Sequence, residues 1–279
     1  MPTLAPSKRV LAAQKQRKRR ARRTVIAAIA SLLTVVTVLV IVAIATNGSS
    51  GPAAKPDAVP PAVLADLTGV PAATATAIGS GSSTNPPRPV SEALRTSGGK
   101  PEVLYIGSEY CPFCAAQRWP LIQALSRFGH FTGLRTMRSA ADDVHPNTPT
   151  FTFHRASYSS EYLTFTAREL YTNSRNGSNY APLDKMSSEE AALLQQYGGS
   201  FPLLDIGGRF VQVGASYDPN LLHGLDWVQI AAALADQKSS IARGIDGSAN
   251  VLTAALCTLT NGQPLQVCSA PAVKGGSRG

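Results

Sequence analysis

Cys111 and Cys114 are the residues of this chain best suited to chemistry, because only Pro112 and Phe113 separate them. Thiols at this spacing can close a small disulfide and open it again. A reactive thiol forms a mixed disulfide with a substrate, and a second thiol three residues further on resolves it. The motif therefore predicts thiol–disulfide exchange, with Cys111 and Cys114 as catalytic residues and with Pro112 and Phe113 lining the substrate groove.

The flanking sequence predicts that the two cysteines lie where a strand passes into a helix. Residues 103–106 are a short apolar run that ends at Gly107, which is typical of a strand buried on both faces. Cys111 is thus expected at a helix N-terminus, where unpaired backbone N–H groups and the helix dipole lower the pKa of a thiol. A static disulfide is the alternative, but a bridge at this position is exposed and therefore labile.

The other two cysteines, Cys257 and Cys268, lack this spacing. A disulfide between them would close a short loop and contribute about 3 kcal/mol in the chain-entropy model. We expect a structural disulfide here, and a second redox pair that passes electrons to Cys111 is the alternative. The four histidines are scattered and no strong zinc-ligand spacing occurs, so neither a metal nor another cofactor is expected.

Positive charge is concentrated at the N-terminus. Nine of the 26 Lys and Arg residues lie in the first 23 positions, and the remaining 256 residues carry 17 basic and 17 acidic side chains. The body of the protein is therefore neutral, and no nucleic-acid partner is expected, because binding to nucleic acid requires a basic surface.

Residues 24–46 follow the basic tail and are almost entirely apolar, with no charge between Arg23 and Lys55. As a helix, this stretch is long enough to cross a hydrocarbon core of ~30 Å. The basic flank predicts that residues 1–23 are a cytoplasmic tail, which also contacts anionic membrane lipid, and that the rest of this single-pass cell-membrane protein is extracytoplasmic. A cleaved signal peptide is the alternative, but its apolar region is typically ~7–15 residues long.

Composition divides the remaining chain into three parts. Residues 47–99 are rich in Ala, Pro, Gly, Ser and Thr and are predicted to be a flexible linker, within which residues 61–70 could form a short docked helix. The folded domain is predicted to span residues 100–270, followed by a disordered C-terminal tail at residues 271–279.

Residue patterns inside the predicted domain indicate further elements. Apolar alternation favours strands near residues 134–139, 146–153 and 162–166, and helical signals favour helices at residues 187–197 and 225–235. Residues 173–179 are interpreted as a polar loop. Two apolar runs around Gly207 and Gly208 predict a β-hairpin, and Pro202 begins its first strand, where an X-Pro bond can be cis.

A strand, a cysteine-bearing helix, a proline-led hairpin and a final helix, in this order, resemble the thioredoxin fold, which is a three-layer α/β architecture. The resemblance implies that Pro202 is a cis-proline facing the two cysteines and that the backbone of Phe201 pairs with substrate chains. Pro149 is the rival position for this proline, and we favour Pro202 because the hairpin and the helix follow it.

More closely, residues 107–119, 147–151 and 254–257 resemble a membrane-anchored bacterial and archaeal family, a thioredoxin-like domain of unknown function. Two features depart from the thioredoxin pattern. Tyr105 stands where thioredoxins and the DsbA group have a buried acid that accepts a proton. Glu109 and Arg118 are at most local substitutes for this acid, and Arg118 is expected to be solvated. An insertion around residues 135–185 is implied between the active-site helix and the cis-proline hairpin.

These observations predict a membrane-tethered, extracytoplasmic thiol–disulfide oxidoreductase that oxidises or isomerises protein disulfides. Oxidation, isomerisation and reduction all use the same residues, and the oxidising compartment favours oxidation. The expected partners are thiol-containing envelope proteins as substrates and a quinone-linked membrane protein as redox partner. A non-enzymatic envelope module, which keeps the fold in order to bind a partner or scaffold a complex, is the alternative.

Overall fold

The computed structural model describes residues 56–276. The predicted cytoplasmic tail at residues 1–23 and the predicted transmembrane helix at residues 24–46 lie outside the described residues. Within residues 56–276, no single helix combines the length and the apolar composition that a membrane span requires. Two consecutive short helices, Pro61–Thr68 and Ala72–Ile78, meet the length and composition criteria when they are taken together, but their axes are bent by 57° at the break between them.

The described chain is a mixed α/β fold, and this confirms the predicted fold class at that level. Its strands are β1 (Asp57–Ala58), β2 (Arg88–Pro89), β3 (Thr96–Ser97), β4 (Lys100–Gly107), β5 (Gly129–Thr132), β6 (Arg135–Arg138), β7 (Pro149–Thr152), β8 (Ser157–Ser160), β9 (Thr164–Glu169), β10 (Tyr171–Asn176), β11 (Asn179–Pro182), β12 (Leu203–Ile206) and β13 (Phe210–Val213). Its helices are α1 (Pro61–Thr68), α2 (Ala72–Ile78), α3 (Pro112–Ser126), α4 (Ser188–Gln196), α5 (Trp227–Ala233), α6 (Ser240–Leu259), α7 (Leu265–Cys268) and α8 (Pro271–Gly276), with a 3-10 turn at Pro219–Leu222.

The central sheet places β9, β4, β12, β13 and β2 side by side in that order, and β3 pairs with the start of β4. β4 is parallel to β9 and antiparallel to β12, while β13 is antiparallel to both of its neighbours. Because β4 lies inside the sheet, its residues 103–107 are buried, as their apolar sequence predicts.

Successive residues of a strand point to opposite faces, so the sheet divides the core into two clusters. One cluster joins the sheet to α3 and α6, and the other joins it to α4. The residues that define the two clusters are Tyr105, Trp119, Ile122, Leu204 and Leu252 in the first and Leu104, Leu193, Leu194 and Leu203 in the second. Helices therefore cover both faces of the sheet.

α3 begins just beyond the end of β4 and is buried along almost its whole length. Pro120 lies inside this helix and has no N–H to donate to the carbonyl of Ala116. The hydroxyl of Tyr217 donates to that carbonyl instead, at 2.9 Å. The buried carbonyl thus keeps a partner, and the helix continues through the proline.

An insertion separates α3 from β9. It consists of two nested antiparallel pairs, with β5 and β8 outside and β6 and β7 inside. A further hairpin, β10–β11, follows β9 and replaces the polar loop predicted at residues 173–179. Its strands are polar and partly exposed, so they lack the apolar alternation that would predict them, and Gly177 makes the turn with a φ of 66°.

The prediction of a flexible linker at residues 47–99 does not hold for the part that the structure describes. Residues 56–99 form α1, α2 and three short strands, and α1 buries Val63 and Leu67 in the main core. The backbone N–H of Ser82 donates to the carbonyl of Arg243 in α6 at 2.9 Å. Small residues at this contact, Gly81 and Gly247, let the two backbones approach closely, so the same composition that suggests flexibility provides packing here.

The prediction of a disordered tail at residues 271–279 is likewise wrong for its described part. Residues 271–276 form α8, and its Ala272 and Val273 are buried. The long helix α6 against which this end of the chain packs was not predicted. Cys257 in α6 and Cys268 in α7 are joined by a disulfide with a Cα–Cα distance of 5.5 Å.

Candidate functional site

Cys111 is the N-cap residue of α3, with an extended backbone (φ −73°, ψ 122°). Its sulfur accepts a hydrogen bond from the backbone N–H of Cys114 at 3.3 Å. Pro112 occupies the first helical position, where an N–H would have no partner within the helix. The positive end of the helix is therefore directed at the Cys111 sulfur, in agreement with the position that the sequence predicts.

The two thiols are both unpaired, and they differ in their surroundings. Cys111 is 6% exposed, and the pKa of its thiol is lowered, chiefly by the hydrogen bond from the Cys114 thiol, with the backbone N–H of Cys114 and the charge of Arg118 also contributing. Cys114 is 0% exposed, and burial raises the pKa of its thiol well above the ordinary value. The arrangement is that of one slightly exposed thiol whose ionised form is favoured and a second, fully buried thiol that is held neutral.

Phe201 and Pro202 lie beside the cysteines. The Phe201 carbonyl oxygen is 4.0 Å from the Cys111 sulfur, and the peptide bond between Phe201 and Pro202 is cis. In the described residues, Gln263–Pro264 is the other cis bond, so Pro149 is trans. Pro149 instead begins β7, and its carbonyl accepts a hydrogen bond from the Trp119 indole.

Aromatic rings surround the exposed side of Cys111. The Tyr110 ring stacks on Tyr180 of the β10–β11 hairpin at 3.9 Å between centroids, and its edge contacts Phe201 at 6.1 Å. Phe113 is 39% exposed and contacts the ring of His145. Pro112, which the sequence predicts in the groove, is buried instead. Phe113 and Phe201 thus remain the accessible predicted groove residues.

The prediction that Arg118 is solvated is wrong, because its side chain is completely buried. Its guanidinium forms a bidentate ion pair with Glu169, with N–O distances of 2.9 and 2.6 Å, and donates to the Ser108 carbonyl at 2.9 Å. Glu169 ends β9 and is also fully buried. Because Glu169 is 51 positions further along the chain, no local signal links it to the cysteines.

Tyr105 and Glu109 complete the buried surroundings of the motif. Tyr105 is 0% exposed, its hydroxyl has no partner among residues 56–276, and burial raises its pKa well above the ordinary value. Glu109 accepts a hydrogen bond from the Thr152 hydroxyl at 2.6 Å, and burial raises its pKa. Burial therefore disfavours the charged form of both groups, and Arg118 is a positive charge that acts on both thiols.

The Cys257–Cys268 disulfide joins α6 to α7 at the C-terminal end of the described chain. Over residues 56–276, no group of three or more His, Cys, Asp or Glu side chains is placed to hold a metal ion. The side chains at this site that can carry out redox chemistry are the free thiols of Cys111 and Cys114.

A family model described as a domain of unknown function (DUF929) matches residues 89–200 of the chain. The matched range includes β4, the two cysteines, the nested insertion and α4, and it ends immediately before Phe201. No curated protein and no solved structure matches the chain.

Proposed function

We propose that the protein is a thiol–disulfide oxidoreductase of the thioredoxin-like class, tethered to the cell membrane and acting outside the cytoplasm. The observation that carries the proposal is the position of Cys111 at the start of α3, where the Cys114 N–H lies 3.3 Å from its sulfur. A nearly buried but reachable thiol with a lowered pKa and a second thiol one turn behind it is suited to disulfide exchange.

The order of strands supports the thioredoxin-like part of the proposal. β4, α3 and β9 form a parallel β–α–β unit, and the antiparallel strands β12 and β13 continue the sheet on the other side of β4. Pro202 immediately precedes β12, and the carbonyl of its peptide bond with Phe201 lies beside Cys111. The nested insertion and the β10–β11 hairpin extend this arrangement without interrupting the sheet.

The chemistry follows from the two thiols. The Cys111 thiolate attacks one sulfur of a substrate disulfide, and the second substrate sulfur leaves with the bonding electron pair and takes up a proton. Cys114 then loses its proton and attacks Cys111, so that the Cys111–Cys114 bond forms and the first substrate sulfur departs. The substrate gains the two electrons that the dithiol loses, and oxidation of a substrate is the same sequence in reverse.

The proposed partners follow from the location and from the chemistry. Thiol-containing envelope proteins would be the substrates, and a quinone-linked membrane protein would restore the oxidised state. In intact spheroplasts, added protease should digest the body of the protein and leave a small membrane-embedded fragment. Complete protection would contradict the proposed orientation, and a soluble form beginning near residue 46 would favour a cleaved signal peptide.

The decisive experiment combines a trapping variant with a defined redox probe. The full chain equilibrated with glutathione buffers should interconvert between the Cys111–Cys114 dithiol and disulfide. Cys114→Ser should accumulate mixed disulfides with envelope proteins, because the attacking thiol remains and the resolving thiol is gone. Cys111→Ser is the matched control and should trap none. A folded Cys114→Ser protein without adducts, together with no exchange with glutathione, would favour the binding-module alternative.

A further inference from the structure

Arg118 lies one helical turn beyond Cys114, on the same side of α3. Residues four apart on a helix have adjacent side chains, and a long side chain leans back toward the N-terminus of its helix. The Arg118 guanidinium follows this rule, since its Nη2 donates to the carbonyl of Ser108, three residues before the helix-capping cysteine. The charged group therefore lies behind the two cysteines and not along the middle of the helix.

One nitrogen of this guanidinium has no partner. Nε and Nη2 are held by Glu169 and the Ser108 carbonyl, whereas Nη1 is buried without a hydrogen-bond acceptor among residues 56–276. A buried unpaired donor on a charged group is costly, because the group has lost water without gaining another acceptor. The charge of Arg118 acts on Cys114, so a negatively charged sulfur there would offset part of this cost, and such a sulfur exists only while disulfide exchange is in progress.

Among the ionisable groups, Cys111 and Arg118 have the strongest influence on the charge of Cys114, and Tyr105 and Tyr110 also interact with it. Both tyrosines are neutral near pH 7, since burial raises the pKa of Tyr105 well above its usual value and that of Tyr110 to about 12. Glu169 is already engaged in the ion pair, and Glu109 is held by Thr152. Arg118 is thus the positive charge available to Cys114.

We propose that Arg118 is the residue that stabilises the negative charge on the Cys114 sulfur during disulfide exchange, and that Glu169 holds its guanidinium in place. The inference rests on the proposed function. During substrate reduction Cys114 must lose its proton to attack the mixed disulfide at Cys111, and during substrate oxidation it leaves Cys111 with the electron pair. The Cys114 sulfur carries charge in both directions, so the same arginine serves both.

The test uses 5,5′-dithiobis(2-nitrobenzoate) as the probe on the reduced full chain. Attack by Cys111 releases one nitrothiobenzoate and leaves a mixed disulfide, and attack by Cys114 on that disulfide then releases a second. The second phase is first order and reports Cys114 alone. Arg118→Gln should slow this phase by roughly 3- to 30-fold, since losing an adjacent opposite charge raises a pKa by ~1–3 units and the less acidic thiolate is more nucleophilic.

Two further variants separate the proposal from a merely structural role. Glu169→Gln removes the charge that neutralises Arg118, while its amide oxygen still accepts one of the two guanidinium hydrogen bonds and keeps Arg118 in place, so it should accelerate the second phase and move its pH profile to lower pH. Arg127→Gln is the matched control, because Arg127 is a half-buried arginine at the other end of α3, where it donates to Thr253, and it should leave the second phase unchanged.

The possible outcomes lead to different conclusions. Release of a single nitrothiobenzoate from the unmodified chain would mean that Cys114 does not resolve, and the proposed function itself would fail. Two phases together with an unchanged second phase in Arg118→Gln would overturn only the role of Arg118. If Arg118→Gln does not fold, Glu169→Gln decides the question. Faster resolution with a pH profile moved to lower pH would support the role of Arg118, because a purely structural ion pair predicts no acceleration. Slower resolution or an unshifted pH profile would refute that role.

Discussion

Asp246 should make the protein less stable as pH rises from about 4 to about 7, and Asp246→Asn should remove this dependence. The carboxylate lies in α6 and is 0% exposed, and neither oxygen has a hydrogen-bond partner among the described residues. Burial raises its pKa from 3.8 to about 7, and the nearby Gln123 amide and Arg127 charge offset only part of the rise. Asparagine has nearly the same shape and carries no charge at any pH.

The magnitude follows from the two pKa values. Well below pH 4 the carboxyl is protonated in both the folded and the unfolded chain, so it contributes no pH dependence. Between pH 4 and pH 7 the unfolded chain releases the proton while the folded chain retains it, and the free energy of unfolding falls with rising pH. The difference between 3.8 and about 7 corresponds to about 4 kcal/mol in total. Because the structure around an ionised carboxylate can relax and admit water, we expect a measured change in the free energy of unfolding of ~2–4 kcal/mol.

The assay is urea denaturation of the full chain and of Asp246→Asn at several pH values from 4 to 8. The stability difference between the two proteins should change by ~2–4 kcal/mol across this range, in favour of Asn at high pH. A constant offset, caused by fitting the amide into the site, does not affect this change. Asp66→Asn makes the same substitution at an exposed position and is the matched control. A difference that stays constant from pH 4 to 8 would refute the reasoning.

Two other predictions concern the parts of the chain outside the cysteine motif. Replacing Cys257 and Cys268 together by Ser should lower the free energy of unfolding by about 3 kcal/mol, because the disulfide spans 11 positions. Disulfide exchange at Cys111 should persist in this variant. Normal stability together with lost reoxidation of Cys111 would instead identify the pair as a redox relay. Gly247→Ala should destabilise the fold by ~1–3 kcal/mol in thermal melts, because its Cβ would lie 2.5 Å from the Ser80 carbonyl oxygen. Gly275→Ala, where nothing lies within 4 Å, is the control, and equal stability of the two variants would argue that residues 80–81 do not pack on α6.

Local patterns are enough to predict the elements that carry the cysteines. Residues 103–106 are apolar without interruption because β4 is central, and such a strand is recognisable without knowledge of its neighbours. The hairpin of β12 and β13 is equally local, since Gly207 and Gly208 both adopt positive φ values at its turn. The cysteine motif directly follows β4 in the sequence, so the position of Cys111 at the start of a helix can be predicted from adjacent residues.

The elements that sequence reasoning missed depend on distant partners. α6 is mostly buried although it contains Asp246, Asn250 and two glycines, and these residues break the apolar pattern that predicts a buried helix. The Asn250 amide donates to the carbonyls of Ala75 and Gly79, in a segment whose composition resembles a linker. The burial of Arg118 was missed for the same reason, because only the folded chain brings Glu169 to it.

The nested hairpins have a consequence for how this site can diversify. The first and last residues of the excursion between α3 and β9, Gly129 and Ser160, pair with each other, so the excursion leaves and rejoins the body at one place. Its tip, residues 139–148, reaches the motif, where the Ala140 N–H donates to the Tyr110 carbonyl and His145 contacts Phe113. The tip can therefore vary in length or composition while the helix and strand at its base keep their register. Under the proposed function, a changed tip would alter the surface that a substrate meets beside Cys111.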